Sequence, residues 1–189
     1  MLAQILSLLL GTAAGLLTLA FIARVWMQWA RAPFRNPVGQ FIVTLTDWAV
    51  RPLRRIVPGL FGIDLASVLA AWLTQCVYFA IMASLVGFGL FELGGFLAIA
   101  WTALLAVLKT FIYLLMGIVI IAALMSWIAP HAPAAPLFNG LAAPLLMPIR
   151  RILPVFGGGI DLSPLAVILL LQVVLIVLDN LHPAAFLLR

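Results

Sequence analysis

The sequence predicts an all-α membrane protein. About four transmembrane helices form two parallel tandem repeats, each with an interfacial helix in the loop between its spans. Three observations carry that reading. Of 189 residues, 67% are hydrophobic and 8% charged, against about 25% charged in a typical soluble domain. Several segments meet the length test of roughly 20 apolar residues for a hydrocarbon core about 30 Å thick. A basic heptad between prolines is written twice, as PLRRIVP at 52–58 and PIRRILP at 148–154.

The spans follow from the apolar runs. The first covers about Leu2 to Gln28, the second about Asp64 to Phe91, the third about Thr110 to Ala129 and the fourth about Ser163 to Asp179. The first run lacks a basic leader and exceeds the 7–15 apolar residues of a signal peptide, so it reads as a retained span. Lys109 interrupts the apolar run from Phe96 to Ala129. It reads as a snorkelling anchor at the membrane edge. Phe96–Leu108 then becomes a helical extension or an interfacial helix, with one long tilted helix as the rival. Cys76 is the single cysteine and forms no internal disulfide, so it says nothing about the redox compartment.

Orientation follows from charge. Arg24, Arg31, Arg35, Arg51, Arg54, Arg55, Arg150 and Arg151 lie in or beside two loops, 30–63 and 130–162. Cytoplasmic loops collect Lys and Arg, which puts both loops in the cytoplasm and both termini outside. The opposite side carries Glu92 in a short turn, Lys109, Asp179 and Arg189.

The duplication extends beyond the heptads. These are 96 residues apart, while Asp64 and Asp161 in GIDLAS and GIDLSP, like Gln75 and Gln172, are 97 apart. Trp29 answers to Trp127, and Asn36-Pro37 to Ala135-Pro136. The units are residues 1–95 and 96–189. Each holds two spans, so both share one orientation, with an axis along the membrane normal.

In the first loop, Val38, Phe41, Leu45, Trp48 and Pro52 form an apolar stripe, opposed by Gln40, Thr44, Asp47, Arg51 and Arg54 or Arg55. Steps of three and four are helical. Such a helix lies in the headgroup plane, and Pro52 ends or kinks it. Trp29, Trp48 and Trp127 are interfacial anchors along with Lys109. The second loop, PLFNGLAAPLLMP, is more apolar and reads as dipping deeper or packing on protein.

Arg54, Arg55, Arg150 and Arg151 set topology, and they are also candidates for binding anionic lipid or a partner's acidic segment. Asp64 and Asp161 precede spans, where a carboxylate caps the helix and pairs with the arginines of its own repeat; Ser163-Pro164 fits an N-cap followed by Pro at N1. Gln75 and Gln172 each lie eleven residues beyond their Asp, about 16 Å along a helix. An amide facing lipid there is costly, so each is expected to face another helix or to line a polar path.

In WMQWARAPFRNPVG, PLRRIVPGLFGIDLAS, MSWIAPHAP and PIRRILPVFGGGIDLSP the chain resembles the YggT (YlmG-like) family. The likeness covers most of the chain in two copies. The first copy has Ala66-Ser67 where the second has Ser163-Pro164, and the second lacks an Asn before its loop proline. The resemblance implies a multispanning protein of bacterial inner membranes, with plastid relatives. It also implies links to osmotic stress tolerance, cell division and nucleoid distribution, or assembly of a cytochrome b-type complex, and no particular reaction.

The residues themselves argue against an enzyme or a cofactor. His131 and His182 fall on opposite sides, and no zincin, paired-cysteine, P-loop or nucleophile-elbow pattern appears. GGG at 157–159 lacks the Lys-Ser/Thr of a phosphate loop. The positive charge suits headgroups, and no soluble basic surface exists for nucleic acid. A scaffold or assembly factor, or a lipid-organising protein, is expected, with a membrane-protein partner or a homo-oligomer. The alternative is a component of an ion or solute path, against which the scarcity of intramembrane charge weighs.

Overall fold

The computed structural model describes residues 2–59, 62–86, 93–152 and 161–181. The expected Glu92 turn, the glycines at 157–159, His182 and Arg189 lie outside them. The described residues form six helices: α1 Leu2–Trp29, α2 Pro37–Leu53, α3 Leu65–Val86, α4 Leu93–Ile128, α5 Ala135–Ile152 and α6 Ser163–Asn180. By length and apolarity α1, α3, α4 and α6 can each cross a membrane, whereas α2 and α5 are the loop helices.

Helix α1 ends through its backbone. Arg31 adopts a left-handed φ of 53°, and the Ala32 N–H reaches back to the Met27 carbonyl at 2.8 Å while Arg31 N–H reaches Gln28 at 3.1 Å. These bonds satisfy the orphan carbonyls of a Schellman-type end. Helix α2 then starts on the Asn36 side chain, which accepts from Gly39 N–H at 2.8 Å, with Pro37 at the first helical position.

Helix α3 runs antiparallel to α1, with Ala66, Ala70 and Ala71 buried in the contact. Small residues let two apolar helices approach closely where lipid offers no hydrophobic drive. Gln75 Nε2 donates to Thr18 Oγ1 at 3.0 Å, and both are buried. That amide does face another helix.

Helix α4 is one unbroken helix of 36 residues, about 54 Å long, so Phe96–Leu108 is continuous with the third span and not a separate helix. The first half packs inside the bundle on α3, where Trp72 Nε1 donates to the Ala100 carbonyl at 3.0 Å. The second half carries α5 and α6. Lys109 lies midway along α4 and pairs at 2.6 Å with Asp179, in the last turn of α6.

Helices α1 and α4 run in one sense and α3 and α6 in the other, but the halves are not level. Trp26 meets Phe111 edge-on at a centroid distance of 5.6 Å, although its counterpart by the Trp29–Trp127 match is Leu124. Thirteen residues of α4 separate those positions, about 20 Å of helix. One core gathers Phe21, Ile22, Val50, Ala70 and Val107. The other gathers Trp26, Val119, Leu141, Leu146 and Val167, and Trp26 Nε1 donates to the Leu141 carbonyl at 3.2 Å.

Candidate functional site

Helix α2 has three faces, each about a third of a turn from the next. Gly39, Ile42, Thr46 and Val50 are buried on protein. The apolar stripe of Val38, Phe41, Leu45 and Trp48 is exposed, so it is the side open to lipid. Trp48 is 67% exposed, and Trp29 and Trp127 are also exposed. The third face carries Asp47 and Arg51 toward a cluster of charge.

The centre of that cluster is Arg24, near the end of α1 and only 6% exposed. Its Nη1 donates to Thr46 Oγ1 at 2.7 Å and to Asp47 Oδ1 at 2.8 Å, and its Nε lies 3.7 Å from Asp64 Oδ2. Arg51 closes on Asp47 at 2.7 Å. On the far side, Arg54 forks onto Asp64 from Nε and Nη2. The charges thus alternate from Arg51 through Asp47, Arg24 and Asp64 to Arg54. A buried guanidinium is tolerable only when paired and hydrogen-bonded, and here α2 and the turn before α3 supply the partners.

Asp64 is 2% exposed. It accepts from Ser67 Oγ at 2.7 Å and from Ser67 N–H at 3.4 Å, so it also closes the first turn of α3. Burial works against its ionisation, but Arg54 and Ser67 outweigh it and hold the carboxyl below the usual range. Burial likewise opposes the Asp47 charge, and Arg24 and Arg51 lower that pKa.

The second copy keeps only part of this. Arg150 meets Asp161 at 2.6 Å, with side chains 51% and 26% exposed. Asp161 accepts from Ser163 N–H at 2.9 Å. Burial raises its pKa less than Ser163 and Arg150 lower it. Ser163 is not the cap, since the N-cap position is Leu162 with no side-chain bond. Ser163 is instead the first helical residue, its hydroxyl buried without a hydrogen-bond partner. By the same register Arg24 answers to Ala122, Thr46 to Ala142 and Asp47 to Ala143. Where the first copy packs an ion pair, a cavity of about 260 Å³ remains, lined by Ala122, Ser126, Asn139, Arg150 and Asp161 among others.

The two heptads are therefore split in the same way. Arg54 and Arg150 are held by aspartates, whereas Arg55 and Arg151 are exposed and make no ion pair among the described residues. The structure does not bring the heptads together: α4 meets the first core at Val107 and lines the second cavity at Ala122 and Ser126. Gln172 also departs from expectation. It lies on the outside of α6 rather than against another helix, because α6 buries only the line Ser163, Val167, Leu171 and Leu175. Sequence reading took Arg24 only as a topological charge and passed over Thr46 and Thr18. An arginine five residues inside an apolar span was the available signal. No group of three or more His, Cys, Asp or Glu side chains that could hold a metal occurs among the described residues.

Comparison with known proteins places this architecture. The family model described as CCB3/YggT matches residues 3–85 and 101–182. The protein YggT of Escherichia coli (strain K12) is 41% identical over 171 residues, spanning 89% of this chain and 86% of that protein. An uncharacterised protein of Pseudomonas aeruginosa is 40% identical over 178 residues, with 92% and 88% covered. No solved structure matches. With four helices long and apolar enough to span a bilayer and the family model covering most of its length, the chain belongs to the CCB3/YggT family.

Proposed function

We propose that this protein is a non-enzymatic organising scaffold of the bacterial inner membrane, with both loop helices on the cytoplasmic side and both termini outside. Its docking groups are Arg55 and Arg151, and its ligand is anionic headgroup. One observation carries the reading: in each heptad one arginine is consumed internally and its neighbour is left exposed. The lipid-open stripe of α2 supports it by seating the first pair at headgroup depth. A transport path draws less support, since Gln75 is satisfied by Thr18 and Gln172 points away from the bundle. Tolerance of osmotic stress or a part in cell division is the physiological form this scaffold would take.

The test uses nanodiscs with increasing phosphatidylglycerol. A juxtamembrane basic residue contributes about 1 kcal/mol of attraction, so Arg55→Gln/Arg151→Gln weakens lipid selectivity by roughly thirty-fold, and salt diminishes the wild-type preference. Arg54→Gln/Arg150→Gln lowers stability instead. Unchanged selectivity in the first double variant, with topology intact, overturns the proposal.

A further inference from the structure

Helix α6 carries a regular exposed stripe on its outer side. Leu165, Leu169, Gln172, Ile176 and Asp179 are exposed and succeed one another by four, three, four and three residues. That is the seam of a left-handed helix pair, in which every second step closes a heptad. The buried line Ser163, Val167, Leu171 and Leu175 occupies the opposite side, against α4 and α5. Helix α3 half-buries its matching positions: Val68 and Trp72 answer to Leu165 and Leu169, and Trp72 Nε1 is taken up by the Ala100 carbonyl of α4.

The midpoint of the seam is polar. Gln172 is the tenth of eighteen residues in α6, close to the bilayer centre. A primary amide there has two donors and an acceptor, and hydrocarbon satisfies none of them. Gln75, its counterpart, is buried on Thr18, so the lack is specific to α6.

We infer that α6 is the contact between two copies of this chain, related by a twofold axis along the membrane normal, with Gln172 hydrogen-bonded to Gln172 of the second copy. The carboxamide is complementary to itself: under a twofold, each Nε2 donates to the other's Oε1, as an isologous interface requires. Leucine and isoleucine above and below supply packing at the crossing angle of about 20° such seams adopt. At the seam's end, Asp179 is compensated by Lys109 at 2.6 Å, so no unpaired charge opposes association. A single polar residue in an apolar seam fixes register and number of strands. The inference needs only that α6 spans the bilayer and is independent of lipid docking by the arginines.

The test is cross-linking of purified protein in nanodiscs or vesicles, in a Cys76→Ser background. Cysteines at 165, 169 and 176 form dimers of twice the monomer mass, whereas cysteines at Leu170 and Val174, exposed on another side of α6, do not. Gln172→Leu, which removes an outward amide and leaves both cores untouched, weakens dimerisation by roughly five- to thirty-fold on dilution with lipid. Gln172→Asn retains part of it. Equal cross-linking at 170 and 176, a dimer insensitive to Gln172→Leu, or a monomer at every lipid ratio overturns the inference. So does a cross-link formed in native membranes to a product of different mass, because the seam would then belong to another protein.

Discussion

Around Arg54 and around Arg150 nearly the same heptad meets two different surroundings. The first arginine joins an alternating run of five charges anchored by buried Arg24 and Asp64. The second forms one half-exposed pair beside a cavity of about 260 Å³. The local motif is therefore enough to make the Arg–Asp contact, while its worth is set by residues outside the motif, on α1 and the loop helix. Three substitutions by alanine (Arg24, Thr46 and Asp47 against Ala122, Ala142 and Ala143) turn a buried network into a surface ion pair.

The largest effect expected from that contrast comes from the aspartates. Asp64→Ala leaves half-exposed Arg54 without a carboxylate and buried Arg24 with Asp47 alone, and costs about 3 kcal/mol, the lower end for breaking one side of a buried pair. Asp161→Ala costs about 1 kcal/mol or less, as for an exposed pair. Unfolding in a single detergent by near-ultraviolet circular dichroism measures both, and equal losses would break the comparison. Converting the first site to the second, as Arg24→Ala/Thr46→Ala/Asp47→Ala, removes donors and acceptors together. It therefore costs less than Asp64→Ala alone, read in the same assay.

The glycine at the start of α2 sharpens the contrast next. A Cβ on Gly39 would come within 2.8 Å of the Phe34 backbone, whereas Ala135, which opens α5, is buried with its methyl accommodated. Gly39→Ala is expected to cost about 1–3 kcal/mol, and Ala135→Gly about 1 kcal/mol through the helix start alone. Proteolysis of the 30–37 turn reports the difference.

Acid gives a smaller, graded effect. The carboxyls of Asp47 and Asp64 titrate below their ordinary value. The stability they contribute is fully present above about pH 4, their unfolded range, and disappears as pH falls through the depressed folded values. Asp64→Asn removes part of that slope, so its unfolding midpoint changes less than wild type between pH 5 and 3. A steeper variant curve would contradict the sign. Smallest of all, Arg31→Gly relieves the left-handed residue at φ 53° and gains about 1 kcal/mol. No described residue of the second loop other than glycine has a positive φ, so no parallel gain exists there.

The spans and the first loop helix were legible because hydropathy and period are local. Leu2–Trp29, Ser163–Asn180 and Pro37–Leu53 fall within about two residues of where their patterns put them. The pairing of Lys109 was not legible, since its partner Asp179 arrives 70 residues later. The buried state of Arg24 was hidden for the same reason: its two acceptors come from α2 and its second carboxylate from the turn before α3. Exposure of Gln172 depends on which side of α6 the neighbours occupy, and period alone names two stripes without choosing between them.

The Trp26 indole has a consequence for how the chain is made. Its acceptor, the Leu141 carbonyl, follows 115 residues later. At about 5–20 residues per second the first half waits roughly 6–23 s, already threaded, before that partner emerges from the ribosome. During the interval an indole N–H and part of a core lie open beside newly inserted helices. A fragment ending near residue 95 keeps that N–H without its Leu141 acceptor.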